Sequence, residues 1–231
     1  MIKGESILAI IPARGGSKRL PNKNILNLAG KPMIVWSIEA GLKSDYIDEV
    51  VVSSDSDEIL KISKEHGAIT IKRPDGLSND IATSFQAVEH AIGNLNKTFD
   101  YVILLQATSP LRNWKHIDEA IELLNKKSAD AIISVREMDH SPLWSNTLPK
   151  DGNMINFLEG DVINKRSQDL EKYYRLNGAI YICKIDRLLE EKTFFIKDNI
   201  YAYVMDRERS VDIDERIDFQ MAKLIIEKTN T

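Results

Sequence analysis

The feature that most constrains the fold is an alternation of short apolar runs with longer amphipathic segments. The short runs are rich in Ile and Val, which is typical of parallel strands covered on both faces. The predicted strands are 6–11, 49–54, 101–106, 129–135, 178–184 and 201–205. The longer segments carry apolar residues at helical spacing. The predicted helices are 32–43, 55–66, 83–93, 114–127 and 215–228. Strands and helices that take turns predict an α/β domain with a mostly parallel sheet flanked by helices.

The regular alternation lapses between residues 138 and 174, where the chain is polar, dotted with aromatic residues and interrupted by Pro142, Pro149 and Gly152. A long irregular excursion from a compact domain is usually a functional arm or an interface. We therefore predict one α/β domain formed by residues 1–137 and 175–231, with an inserted arm at 138–174.

Composition excludes several classes of protein. The 231 residues include 31 Lys+Arg and 35 Asp+Glu, a net charge of −4, and no long basic block. The sequence therefore predicts no nucleic-acid partner and no anionic membrane surface. No stretch approaches the roughly 20 apolar residues of a membrane span, and the start of the chain lacks the apolar core of a signal peptide. The single cysteine, Cys183, sits in an apolar run and is expected to be a buried thiol in a cytoplasmic protein.

The first predicted strand runs directly into the segment 12–24, PARGGSKRLPNKN, which contains paired glycines and four cationic side chains. Glycines permit close approach of backbone N–H groups to an anion, and Arg and Lys supply charge and donors. The loop matches neither the P-loop nor the GxGxxG dinucleotide pattern. It predicts a polyphosphate cradle, and the competing reading is a solvated basic loop.

Two carboxylates, Asp212 and Asp214, are separated by one residue in an extended segment, so they point to the same side. Such a pair suits Mg²⁺, which takes one or two carboxylates and completes its shell with water and substrate phosphate. The competing interpretation is that Asp214 caps the following helix and Asp212 is solvated.

Polar side chains also follow the central predicted strand, where Gln106 opens the segment QATSPLR. Ligands of open α/β sheets bind beyond the carboxyl ends of the strands, so Gln106 is well placed to meet a substrate. The segment YRLNG at 174–178 likewise ends the arm with polar groups beside a glycine. Either segment alone is also explained as a turn.

Together these segments, in this order, resemble the N-acylneuraminate cytidylyltransferases, the CMP-sialic acid synthetases and their relatives for legionaminic and other nonulosonic acids. The resemblance covers nearly the whole chain and rests on IPARGGSK with PNKN, LQ with TSPLR, NGAIY and DID. It implies a Rossmann-like nucleotide-diphospho-sugar transferase fold, an arm that pairs two protomers into a homodimer, and transfer of CMP from CTP to a 2-keto sugar acid with release of pyrophosphate.

The resemblance also implies site residues. The catalytic set is Arg14, Lys23 and Asp212. The nucleotide-binding set is Arg14, Ser17, Lys18, Lys23, Asn24, Arg73, Ala82 and Ser84. The substrate-binding set is Gln106, Arg166, Arg175, Asn177, Phe194 and Phe195, with Arg175 reaching the partner's site. Asp212 and Asp214 are the implied ligands of Mg²⁺, and Mn²⁺ suits the same oxygens.

Two positions depart from the family pattern. Ala107 replaces the proline that usually follows the glutamine, and Ser167 replaces the second of two adjacent arginines in the arm, leaving Arg166. If the second arginine is the one that binds the sugar in relatives, carboxylate recognition here shifts to Arg166, Arg175 or another group. Three alternatives stay open: a CMP-Kdo synthetase, a pseudaminic acid enzyme, and a catalytically silent nucleotide-binding module. The general base and the sugar are likewise left open.

Overall fold

A computed structural model describes residues 4–79, 81–158 and 160–229, without the side chains at positions 161, 167 and 229. The strands are β1 (Ile7–Pro12), β2 (Asn27–Leu28), β3 (Lys31–Pro32), β4 (Glu49–Ser54), β5 (Ile69–Lys72), β6 (Tyr101–Leu104), β7 (Ala131–Glu137), β8 (Tyr174–Lys184) and β9 (Ile200–Val204). The helices are α1 (Met33–Leu42), α2 (Asp57–Glu65), α3 (Ser84–Gly93), α4 (Trp114–Lys127), α5 (Ile185–Glu191) and α6 (Arg216–Thr229).

Seven strands form one sheet in the order β5-β4-β1-β6-β8-β7-β9, and β2 and β3 form a small antiparallel pair. In the large sheet, β1 pairs in parallel with β4 and β6, β4 with β5, and β7 with β9. Only β8 among these strands runs against its neighbours, β6 and β7. The prediction of a mostly parallel sheet flanked by helices is confirmed.

The sheet is buried on both faces, as its apolar strands predict. On one face, apolar side chains of α1, α2 and α4 pack against it, and on the other face those of α3 and α5 do so. α3 and α4 each begin with a capping box, in which Thr83 and Gln86, or Asn113 and His116, satisfy each other's backbone N–H groups. These caps fix where the chain enters each helix after it leaves the sheet.

Several boundaries differ from the sequence prediction. Pro32 lies in β3 just before α1 rather than in the first helical turn, where its φ of −54° and ψ of 140° are extended. The sequence pattern gives no sign of β5, α5 or the β2–β3 pair, because such short elements leave too few residues to show a period. β8 begins at Tyr174, earlier than predicted, since polar and charged residues occupy its first half.

The segment between β7 and β8 contains no long helix or strand among its described residues, only 3-10 turns at Pro142–Trp144, Gly160–Asn164 and Ser167–Asp169. Several of its apolar side chains are exposed, with Ile155 83% exposed. Cys183 is a buried free thiol, as predicted, and burial raises its pKa to about 12. In the described part of the chain no helix is long and apolar enough to cross a bilayer.

Candidate active site

A cleft of about 530 Å³ opens at the carboxyl ends of β1 and β6. The cleft is lined by the segments that follow β1 and β6, and by the start of α3. Ten of the residues assigned to the site from the sequence line it: Arg14, Ser17, Lys18, Lys23, Asn24, Arg73, Ala82, Ser84, Gln106 and Asp214. Side chains separated by up to 200 residues of chain therefore share one cavity, and the cleft carries four basic side chains from the predicted nucleotide loop and Arg73.

The nucleotide loop, defined here as residues 12–24, is held by backbone contacts that leave its cations at the cleft. The Gly15 N–H donates to Asp55 Oδ1 at 3.0 Å, and a Cβ at Gly15 would lie 3.1 Å from the Cβ of Ser56. The Asn24 side chain donates from Nδ2 to the Arg14 carbonyl at 2.9 Å. Asn24 thus ties the end of the loop to its beginning while it also lines the cleft.

Lys23 joins this loop to the segment that carries the two carboxylates. Its Nζ donates to the Ile213 carbonyl at 2.6 Å and pairs with Asp214 Oδ1 at 3.1 Å. Arg19 pairs with the other oxygen of Asp214 at 3.0 Å. Asp214 is thus engaged by two cations of the nucleotide loop, and a polyanion in the cleft would compete with it for them.

Asp212 lies beside the cleft and interacts with Thr108, which follows β6. The surrounding protein desolvates its carboxylate and raises its pKa, a hydrogen bond with Thr108 lowers it, and the charge of Asp214 raises it. Nearby, the Ile213 N–H donates to the Thr108 carbonyl at 2.8 Å. Two carboxylates that lie close enough for one charge to act on the other suit a shared cation, which would offset their repulsion.

No group of three or more His, Cys, Asp or Glu side chains able to hold a metal ion occurs in the described part of the chain. The donor set of Asp212 and Asp214 nevertheless fits Mg²⁺, because both offer the hard oxygens that this ion prefers. A set of two leaves most of the coordination shell to water and to phosphate oxygens. The site therefore fits an ion that arrives with a nucleotide better than a permanently caged one.

The far wall of the cleft combines a buried cation with the start of α3. Arg73 is 4% exposed, and burial is the largest effect on its guanidinium and lowers its pKa. Its Nε donates to Ser78 Oγ at 2.9 Å. Ala82 and Ser84 flank the N-cap Thr83, so the positive end of the helix dipole faces this part of the cleft.

Gln106 marks the other end of the cleft, where β6 meets β8. A Cβ at Gly178 would lie 2.7 Å from Gln106 Oε1, so only a glycine leaves room for this side chain, and Gly178 has a φ of +74°. Tyr181 lies further along β8, and the charge of Asp212 contributes to its raised pKa after burial. The rings of Phe194 and Phe195 pack edge-on against the ring of Tyr181, with distances between ring centroids of 5.9 and 6.3 Å.

The remaining expected substrate residues lie elsewhere. Phe194 belongs to the core, whereas Phe195 is half-exposed. Asn177 is 2% exposed and makes its hydrogen bonds inside the protein, with Ser134, Ser210 and the Ala179 N–H. It therefore supports the wall of the site from behind and does not line the cleft.

Two of the expected substrate residues, Arg166 in the arm and Arg175 in β8, are exposed. Arg166 pairs with Asp169 at 3.2 Å within the arm. Arg175, on β8, lies opposite Arg136, on β7, and its charge acts on Asp139. Neither lines the cleft of its own protomer. The side chain of Ser167, the expected departure from the family, lies outside the described residues.

The sequence analysis gave no role to three side chains that the structure brings to the site: Arg19, Thr108 and Tyr181. Arg19 and Thr108 stand inside the quoted segments, and their polar character was a usable signal. Tyr181 reads as one more apolar position of a strand, so nothing in the sequence distinguishes it.

Residues 8–229 match the sequence profile of the family described as Cytidylyltransferase. The chain belongs to the cytidylyltransferase family. It is 41% identical over 214 residues to the N-acylneuraminate cytidylyltransferase of Streptococcus agalactiae serotype III (strain NEM316), an alignment that covers 92% of this chain and 51% of that protein. The chain thus spans about half the length of this relative.

Other members of the family match along almost their whole length. A pseudaminic acid cytidylyltransferase of Campylobacter jejuni (strain 81-176) is 37% identical over 94% of this chain and 95% of its own. The CMP-N,N'-diacetyllegionaminic acid synthase of Legionella pneumophila (strain Philadelphia 1) is 36% identical over 96% of each chain. The resemblance stated from the sequence motifs is confirmed.

A solved structure of CMP:2-keto-3-deoxy-manno-octonic acid synthetase complexed with CTP has a similar fold. The TM-score is 0.73 at 16% identity, over 97% of this chain and 99% of that one. The 4-diphosphocytidyl-2C-methyl-D-erythritol synthase of Anaerococcus prevotii superimposes with a TM-score of 0.67 at 14% identity, over 98% of each chain. These two matches establish the nucleotidyltransferase fold of this cytidylyltransferase.

Proposed function

We propose that this cytidylyltransferase transfers CMP from CTP to a nonulosonic sugar acid of the sialic or legionaminic type. The observation that carries the proposal is the single cleft that joins the basic nucleotide loop, the start of α3 and Gln106. Relatives named for N-acylneuraminic, pseudaminic and legionaminic acid support the substrate class.

In the proposed reaction, the anomeric hydroxyl oxygen of the sugar acid forms a bond to the α-phosphorus of CTP. The bond between that phosphorus and the oxygen leading to the β-phosphorus breaks, and pyrophosphate leaves with the electron pair. The hydroxyl proton passes to a base, for which water beside Asp212 and the substrate's own carboxylate are the candidates. The enzyme's contribution is to place these groups in line and to stabilise the leaving charge.

The basic residues of the nucleotide loop provide that stabilisation. Lys23 and Arg14 both line the cleft, so both can meet the triphosphate. Lys23 is only 11% exposed, and a partly buried cation acts on phosphate charge with less screening by water. Ser17 and Lys18 add donors, and Arg73, Ala82 and Ser84 are placed for the nucleoside.

We further propose Asp212 and Asp214 as the residues that hold Mg²⁺. When bound, this ion neutralises charge on the α-phosphate and the leaving pyrophosphate. Asp214 is paired with Lys23 and Arg19. When a triphosphate draws these cations away, the Asp214 carboxylate becomes available, and this exchange couples nucleotide binding to the carboxylate pair.

The sugar acid is assigned to the end of the cleft near Gln106. Tyr181 and the half-exposed Phe195 contact each other outside the residues that line the cleft, and they are proposed as an apolar wall for an N-acyl substituent that extends beyond it. A sugar acid without such a substituent gains nothing from that wall. This feature favours a nonulosonic acid over Kdo.

The arm is proposed to pair two protomers of a cytoplasmic homodimer. Its exposed apolar side chains are proposed as the interface, because apolar surface of this kind is buried when two protomers associate. They are Leu143, Leu148, Met154, Ile155 and Ile163. Sedimentation should give a dimer that the double substitution Ile155→Asp/Ile163→Asp dissociates. A monomeric wild type would overturn this assignment.

Pyrophosphate release measured with each of the four nucleoside triphosphates and a panel of sugar acids tests the function. The panel contains sialic, legionaminic, pseudaminic and Kdo acids, each with Mg²⁺, with Mn²⁺ and with chelator. Release that needs CTP, sialic or legionaminic acid and a divalent cation supports the proposal. Release with Kdo alone or with pseudaminic acid alone, or CTP binding without release on any sugar, would replace it by one of the alternatives.

A further inference from the structure

One buried cation lies beneath the sugar-acid end of the cleft and does not line it. Arg112 follows the turn after β6, is 1% exposed, and is among the largest fully buried side chains. Within the described residues, no carboxylate lies within ion-pair distance of its guanidinium, and Nη1 has no hydrogen-bond partner. A buried charge without a counter-charge is costly, so its position calls for a reason other than stability.

The contacts of Arg112 converge on Gln106 and on β8. Its Nη2 donates to Ser37 Oγ at 2.7 Å and to the backbone carbonyl of Gln106 at 3.3 Å. The Ser37 hydroxyl donates to that same backbone carbonyl at 3.3 Å. Its Nε donates to the Ala179 carbonyl at 3.4 Å. One guanidinium therefore links α1, the end of β6 and the segment of β8 that includes Gly178.

We infer that Arg112 is a positioning residue, which fixes Gln106 against Gly178 and so shapes the pocket for the sugar acid. This inference rests on the proposed function, because it assigns Gln106 to the second substrate. Arg112 touches none of the nucleotide-loop residues through the hydrogen bonds given above. Its effect is therefore selective for the sugar acid over CTP.

Burial lowers the pKa of Arg112 to about 9, so the guanidinium is still protonated near neutral pH. It keeps its N–H donors for the two carbonyls under working conditions. A planar guanidinium holds its N–H donors in fixed directions and can therefore reach both carbonyls at once, whereas a lysine ammonium has no such fixed arrangement. The site thus needs the shape of arginine as well as its charge.

The test compares Arg112→Met, Arg112→Lys and Ser37→Ala with wild type. Ser37→Ala removes only the hydroxyl between Arg112 and the Gln106 carbonyl, so it tests the same link if Arg112→Met does not fold. Ser44→Ala is the matched control, because Ser44 joins α1 to α4 through Asp118 at 2.5 Å, away from the cleft.

For the Arg112 variants, we expect kcat/KM for the sugar acid to fall roughly tenfold to hundredfold, since small misplacements of positioning groups have effects of this size. Affinity for CTP should stay within about twofold of wild type, and Ser44→Ala should change neither quantity. In a double-mutant cycle with Gln106→Ala, the two losses should not add, because Arg112 acts through Gln106. Equal losses for both substrates, or additive losses, would overturn the inference.

A second readout does not depend on turnover. The side-chain amide resonance of Gln106, assigned by its absence in Gln106→Ala, should shift in Arg112→Met and Ser37→Ala and stay in place in Ser44→Ala. If wild type releases no pyrophosphate with any sugar acid, the proposed function fails while this resonance still decides whether Arg112 positions Gln106. An unchanged resonance refutes the positioning role.

Discussion

The substitution Gly178→Ala separates the effect of this glycine on the position of Gln106 from its effect on the stability of the fold. The backbone at this position has a φ of +74°, which costs an L-residue about 1–2 kcal/mol. The unfolded chain loses entropy on the same substitution, which offsets roughly 0.4–1 kcal/mol. The net loss of unfolding free energy is therefore about 1 kcal/mol, or roughly 2–4 °C in Tm for a chain of this size.

The contact with Gln106 adds little to that loss. The new Cβ would lie 2.7 Å from Oε1 and 3.4 Å from Cδ of Gln106, closer to the oxygen than real Cβ atoms approach. The atoms that must move belong to the far end of a flexible side chain, whose Oε1 has only a long contact of 3.5 Å with Thr108. Gln106 therefore turns away, and the sugar-acid pocket loses its polar contact.

Gly152→Ala is the matched control, because Gly152 has a φ of +71° and its Cβ would meet nothing within 4 Å. Thermal unfolding of both variants should give similar losses of stability. Pyrophosphate release should show roughly a tenfold to hundredfold loss in kcat/KM for the sugar acid in Gly178→Ala alone, with CTP affinity retained. A Gly178→Ala enzyme with normal kinetics for the sugar acid would refute the reasoning, and so would a much larger loss of stability than in the control.

Three further predictions test other parts of the molecule. Lys23→Met should weaken CTP binding, measured by calorimetry, by roughly tenfold to hundredfold because a charge-assisted contact is lost; Lys97→Met, which removes a surface pair with Glu49, is the control and should bind CTP normally. Asn113→Ala removes the cap of α4 and should lower the urea-unfolding free energy by about 1 kcal/mol, with no change in the KM for CTP; no loss of stability would contradict the capping role. The Arg136 guanidinium lowers the pKa of Asp139 from 3.8 to about 2, so this ion pair stabilises the fold above pH 3.8 and its contribution is lost as the pH falls through about 2. The difference in unfolding free energy between wild type and Asp139→Asn should shrink over that interval. A difference that persists at lower pH would contradict the assignment.

The fold was predictable where the chain repeats one pattern over enough residues. β1 and β6 are continuous apolar runs and β4 has an apolar centre of three valines, and the predicted bounds of all three lie within two residues of the observed ones. The short β5 and α5 give no comparable signal. The nucleotide loop was predictable because its glycines and cations form one uninterrupted segment, and all of its assigned residues line the cleft.

The contribution of side chains from behind the cleft was not predictable in the same way. Asn177 and Arg112 are both polar, both lie in segments that border predicted strands, and both are buried. Residue type alone does not tell whether such a side chain faces a ligand or ties two elements together. That distinction depends on which partners the tertiary fold brings near, such as Ser210 for Asn177 and Ser37 for Arg112.

The direction of β8 explains why one residue at the sugar-acid end of the cleft follows its strand whereas another lies near the start of its strand. Gln106 follows β6, whereas Gly178 lies in the first half of β8, before its apolar run. In a parallel sheet the polar residues of a site follow their strands. A polar residue and a glycine that precede an apolar run reach the same edge only if that strand is antiparallel, as the pairing of Leu104 with Tyr181 requires. The antiparallel direction of β8 therefore brings Gly178 beside Gln106, a contact that the order of residues in NGAIY alone did not show.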